Sequence, residues 1–213
     1  MRDEWSIKEN KYLRASQVKH LRDKAFEAKG RAVRQNRATP VKDWFLVELC
    51  LATGLRVQEA ADLRESDLSL AERPCHVNVR CGKGGKARKV TVSDAFRKLA
   101  AEYLAWKASM GELTGSDAPL FLSGRTGGQM CTRALQKSFK RSLRRAGIPD
   151  VYGIHCLRHT YGTFLYEASG HNLRMVQRQL GHSSIKTTQV YVGVMDGETE
   201  RALDRLYGER GAG

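Results

Sequence analysis

Four short pieces of this chain carry residues suited to one kind of chemistry. They are TGLRVQEAADL at 53–63, GKGGK at 82–86, HCLRHTYGTFL at 155–165 and LGHSSIKTTQVYV at 180–192. Between them they hold two arginines, three lysines, three histidines and two tyrosines. Breaking a phosphodiester without a metal needs the same parts: a nucleophile, cations for the non-bridging oxygens, and an acid for the departing oxygen. Arginine suits the second task because its planar fork donates two hydrogen bonds and stays charged. Histidine donates to phosphate or moves protons near neutral pH. A tyrosine phenol, with a reference pKa near ~10, attacks only where a cationic pocket favours the phenolate.

Singly the motifs are short, but their order is specific. Arg56 is followed by Lys83, then by His155-x-x-Arg158, then by Leu180-Gly181-His182, with Tyr191 nine positions after His182. This ordered set resembles the tyrosine recombinase, or phage integrase, family. The likeness covers most of residues 11–193 and begins with KYLRASQV. It implies that Arg56 and Arg158 grip a scissile phosphate and that His155 and His182 donate to it or move protons. It implies that Lys83 protonates the leaving 5′ oxygen and that Tyr191 attacks to form a 3′-phosphotyrosyl bond. Glu59 would orient a neighbouring basic group. The implied function is site-specific DNA recombination without cofactor, metal or ATP, serving integration, excision, inversion or resolution. The implied partner is double-stranded DNA, with a homotetramer on DNA and a monomer or weak associate without it.

Rivals exist for each position. Lys86 shares the glycine-rich segment with Lys83 and competes for the role of acid. His155 and His159 stand four apart, a zinc-compatible spacing, but Cys156 occupies the place of the glutamate in H-E-x-x-H, so His159 reads as a packed helix residue. Tyr161 and Tyr166 lie among Phe164 and Leu165 and read as core or groove residues. Two other functions use the same residues: a type IB topoisomerase-like enzyme, and a DNA-binding protein that has lost its activity.

The elements that must carry these residues form a mainly α (α+β) pattern. Helices are expected from Ser16 to Lys29 with Gly30 as the stop, from Thr39-Pro40 to Gly54, and over 57–63. HVNVR and ARKVTV flank the glycine-rich segment as a small antiparallel β-hairpin. Ser93 opens a helix with Phe96, Leu99 and Tyr103. Residues 132–146 form a basic amphipathic helix, and further helices fall at 155–168, 172–180, 184–192 and 197–207. In domain terms, 1–10 is an arm or linker, 11–195 the catalytic domain, and 196–213 a C-terminal helix and tail able to exchange between protomers.

Of 213 residues, 41% are hydrophobic and 28% charged, which permits one sizeable core, and the net charge of +14 favours a polyanionic partner. The cations cluster. Lys83, Lys86, Arg88 and Lys89 form one group. Arg133, Lys137, Lys140, Arg141, Arg144 and Arg145 form another with no acid among them. Both read as surfaces that follow a phosphate backbone. Five cysteines without a C-x-x-C indicate neither a disulfide framework nor a zinc ribbon. No apolar signal core or membrane span is seen, so a cytoplasmic protein is expected. Only about ten residues precede the family likeness, where most relatives carry a separate helical domain. The chain is therefore expected to be a short member, like the fimbrial inversion recombinases, or a fragment.

Overall fold

The computed structural model describes residues 11–80, 87–182 and 188. Among the described residues the chain forms seven α-helices and one small sheet, with one helix, α2, at the centre. The helices are α1 (Ala15–Arg34), α2 (Ala38–Thr53), α3 (Val57–Ala61), α4 (Asp94–Ser109), α5 (Thr132–Arg145), α6 (His155–Ala168) and α7 (Leu173–Leu180). The strands β1 (Leu68–Ser69), β2 (His76–Val79) and β3 (Arg88–Thr91) form an antiparallel sheet in that order. Among the described residues no helix is long and apolar enough to cross a membrane.

The centre is α2, because VKDWFLVELC leaves no polar face wide enough for solvent. Residues Pro40 to Cys50 are all buried, under α1, α4, α5 and α6. Phe45 stacks on Tyr103 of α4 at 4.0 Å and lies 6.1 Å from Phe96 and 5.9 Å from Phe121. Each such aromatic or leucine contributes roughly 1.5–3 kcal/mol by leaving water. Tyr103 is fully buried, and its hydroxyl donates to the Leu120 carbonyl at 3.1 Å. Ser93 caps α4 as expected, accepting from Phe96 N at 3.2 Å.

A smaller cluster joins α6 to α7. Tyr166, Val176 and Leu180 pack there with Tyr12, Tyr161, Leu165 and Leu173. The same helix anchors the start of the described chain, since Leu13 N donates to Thr160 Oγ1 at 2.9 Å.

The helical class and the hairpin are found as expected, with four differences. First, α1 starts at Ala15, not Ser16. Second, it runs through Gly30 to Arg34, because its buried stripe of Val18, Leu21, Ala25, Ala28 and Ala32 continues past the glycine. Third, α3 stops at Ala61, where the chain turns to bridge Arg64 to Pro119. Fourth, the hairpin gains β1, in register through Leu68 opposite Val77 and Val77 opposite Val90. The expected helices at 184–192 and 197–207 lie outside the described residues.

Candidate phosphate-binding site

Three of the four motifs meet where α2 and α7 end. Both helices close with a left-handed glycine, Gly54 at φ +60° and Gly181 at φ +66°, a conformation that costs other residues ~1–3 kcal/mol. Their last carbonyls converge on one guanidinium. Arg158, 5% exposed on α6, donates through Nη1 to Gly54 O at 2.6 Å and through Nη2 to Leu180 O at 2.9 Å. Space here is tight. A Cβ on Gly54 would lie 2.4 Å from Tyr161 Cδ1 and 2.8 Å from Leu180 Cδ2.

Arg56 sits two residues past Gly54, at the start of α3. Glu59, one turn on, accepts from Arg56 N at 2.9 Å and from Arg56 Nη1 at 2.8 Å. Arg88 from β3 grips the same carboxylate, Nη1 on Oε1 and Nη2 on Oε2, both at 2.8 Å. Burial raises the pKa of Glu59, but the bonds from Arg88 and from the backbone and side chain of Arg56 outweigh it. The carboxyl is held down at about 2. Glu59 thus contacts two basic groups, Arg56 and Arg88.

The histidines lie in the field of these arginines. His182, directly after Gly181, pairs its Nδ1 with Thr188 Oγ1 at 3.0 Å, and Thr188 is fully buried. The backbone of His182 is held by Gln177 at both N–H and carbonyl, each at 3.1 Å. Burial, then Arg158, Arg56 and Arg88, push the His182 pKa down to about 4. His155 is exposed at the start of α6, and burial of part of its ring with Arg158 and Arg56 lowers its pKa. His159 follows one turn later with its ring edge-on to His155 at 6.4 Å, and burial, His155 and Arg158 lower it to about 4. Each shift favours the neutral ring while no anion is present. A phosphate would offset the arginine charge and favour their protonation.

Arg56, Glu59, His155, Arg158 and His182 thus share one neighbourhood. Lys83, Lys86 and Tyr191 lie outside the described residues.

Among the cations read as DNA contacts, the structure separates two groups. Arg133, Lys137 and Arg144 are exposed along one face of α5 and form no ion pair among the described residues. Lys140 instead pairs with Asp150 at 2.9 Å. Arg141 and Arg145 pair with Asp43 of α2 at 2.6 and 2.7 Å, and Ser138 donates to the same carboxylate. Asp43 is 1% exposed, so it joins α5 to α2 as well as neutralising charge. Arg88 is likewise engaged, with Glu59 and with the Gln179 carbonyl at 3.3 Å.

Sequence reasoning passed over Thr188, Gln179 and the two carbonyls on Arg158. A backbone oxygen carries no residue-type signal, and nothing in the type or spacing of Thr188 marks it as the partner of a histidine. It also passed over Arg174 and Arg178, exposed one turn apart on α7 beside His182; their i, i+4 spacing was the available signal.

The sequence pattern of the phage integrase family matches residues 11–198. The tyrosine recombinase XerD of Corynebacterium glutamicum is 38% identical over 159 residues, 74% of this chain and 50% of that protein. The tyrosine recombinase XerC of Proteus mirabilis is 36% identical over 152 residues, 71% and 47% of the two chains. The chain spans about half the length of these relatives. Among solved structures, the XerH site-specific recombinase bound to a palindromic difH substrate aligns with a TM-score of 0.72 at 26% identity, over 92% of this chain and 53% of that one. The XerA recombinase aligns with a TM-score of 0.71 at 26% identity, over 92% and 65%.

Proposed function

This chain belongs to the phage integrase family, and from that premise we propose that it is a site-specific DNA recombinase acting through a covalent tyrosyl intermediate. The observation that carries the reading is the meeting of three separate motifs around Arg158, which bonds to Gly54 and Leu180 beside Arg56 and His182. Nothing in a helical core needs two arginines and two histidines at one point, whereas a phosphate does. The similar XerH recombinase was solved on its difH substrate.

In the proposed reaction Arg56 and Arg158 hold the non-bridging oxygens, and His155 and His182 donate to them. Tyr191 Oη passes its proton to the neutral imidazole of His155 or His182 and attacks phosphorus. The P–O5′ bond breaks, a proton from Lys83 goes to the 5′ oxygen, and a 3′-phosphotyrosyl bond remains. The 5′ hydroxyl of a partner strand then returns a proton to Lys83 and attacks that phosphorus, and Tyr191 leaves and takes its proton back from the imidazole. One phosphodiester replaces another, so ATP is not consumed, and the guanidinium groups supply the positive charge a metal would otherwise bring. The Arg133, Lys137 and Arg144 face of α5 binds the duplex. The assembly is a homotetramer on DNA and a monomer or weak associate without it.

The test uses duplexes nicked near each candidate site, so that the short strand diffuses away and the adduct accumulates. A DNA-linked protein band is expected from the unaltered chain and none from Tyr191→Phe. No adduct on a broad library of sites, or an adduct that survives Tyr191→Phe, overturns the reading. Sulfur in place of the 5′ bridging oxygen removes the need for an acid, so Lys83→Ala should regain cleavage on that substrate. Rescue of Lys86→Ala instead moves the acid to Lys86.

A further inference from the structure

Arg88 belongs to the hairpin by sequence and to the site by contact. Its end-on edge, Nη1 and Nη2, is spent on Glu59. Its side edge is spent on the Gln179 carbonyl through Nε. A guanidinium has only these edges for a bidentate grip, so a phosphate would have to break one of them. The stem is equally fixed: a Cβ on Gly181 would lie 2.6 Å from Arg88 Cδ. The side chain is 11% exposed and Glu59 only 3%. One guanidinium therefore ties β3 to α3 and to the end of α7.

Charge counting shows what this does. Glu59 facing Arg56 alone would cancel its charge and compete with any phosphate for its donors. Shared between two guanidinium groups, the same carboxylate leaves the trio with one net positive charge. We propose that Arg88 is a positioning residue: it occupies Glu59 so that Arg56 remains available to the scissile phosphate, and it fixes the start of β3 against α7. The proposal rests on the recombinase reading for its substrate.

The full chain is tested on a nicked duplex, reading adduct formation at saturating DNA and affinity across salt concentrations. Arg88→Ala should slow cleavage roughly 30-fold, part of the ~10²–10³ lost when a charge-stabilising donor is removed outright. Its plot of log affinity against log salt should keep its slope, whereas Arg133→Ala, a phosphate contact, should make the slope shallower by about one. The decisive variant is Arg88→Ala with Glu59→Gln. Removing the competing carboxylate should return about fivefold of the lost rate, a gain that a purely structural role for Arg88 would not give.

A double variant no faster than Arg88→Ala, or a shallower slope with an unchanged saturated rate, overturns the proposal. Where Arg88→Ala does not fold, Arg88→Lys with and without Glu59→Gln makes the same comparison, since lysine keeps the charge but not the fork. If the unaltered chain forms no adduct, the recombinase reading fails. Arg88 is then judged by titration with inorganic phosphate: about fivefold weaker binding in Arg88→Ala, restored by Glu59→Gln, upholds the proposal, and unchanged binding overturns it.

Discussion

Replacing Glu59 by glutamine removes the one negative charge from a point where four N–H donors converge. The size of the loss follows from the carboxyl's own titration. Its pKa is about 2 in the folded protein against an ordinary 4.5. At ~1.36 kcal/mol for each tenfold change in proton affinity, that preference stabilises the fold by roughly 3 kcal/mol at neutral pH. The sign follows from a folded pKa that lies below the unfolded one. The stabilisation is complete above pH 4.5 and fades as pH falls toward about 2. Urea denaturation of both proteins at pH 7, 4.5 and 3 reads it directly. Glu59→Gln should be less stable by about 3 kcal/mol at pH 7, a fall in Tm of roughly 6–12 °C for a domain of this size. By pH 3 that gap should shrink to about half or less. A gap below about 1 kcal/mol at pH 7, or one as wide at pH 3 as at pH 7, would refute the reasoning.

Three further outcomes follow from the same geometry. Gly54→Ala meets Tyr161 at 2.4 Å in a left-handed backbone and should cost about 2 kcal/mol or more, read as a lowered urea midpoint. His159 and His182, held neutral with pKa values of about 4, should make stability climb as pH rises from 4 toward 6.5; His182→Gln should flatten that climb, and a thermal-melt series with an unaltered slope would count against it. Replacing Arg133, Lys137 and Arg144 together by alanine should lower the salt slope of DNA binding by roughly 2–3, and an unchanged slope in a fluorescence-anisotropy series would remove α5 from the DNA-facing surface.

Much of this was legible from sequence, because some signals are local. The Gly54 stop is such a case, since a left-handed turn beside a packed tyrosine admits little else. The continuous apolar run of α2 reads as a buried helix, and Ser93 as the start of α4, from sequence alone. Gly30 misled because it meets no crowding and keeps ordinary helical geometry, so the apolar stripe on α1 simply runs through it. Strand β1 is two residues long, too short for alternation to show.

The cations could not be sorted from sequence at all. Arg141 and Arg145 sit in an acid-free segment, yet their partner, Asp43, lies some hundred residues away on α2. Arg88 looked like a neighbour of Lys86 on a basic strand, and Glu59, 29 residues back, decides its role. Net charge points to a polyanionic partner. Which of the cations face that partner depends on where the acids fold.

Lys107 carries a consequence of its own. Its ammonium is fully buried, bonded to Glu65 at 2.5 Å and to the carbonyls of Leu113 and Pro119 at 2.6 and 2.9 Å, while Glu65 also accepts from Gly115 N at 3.0 Å. The surface loop over 111–119 is therefore fastened from beneath by charge. Peeling it away separates an ion pair as well as releasing chain entropy. Its amides should exchange with heavy water far more slowly than their place on the outside suggests, Gly115 most clearly.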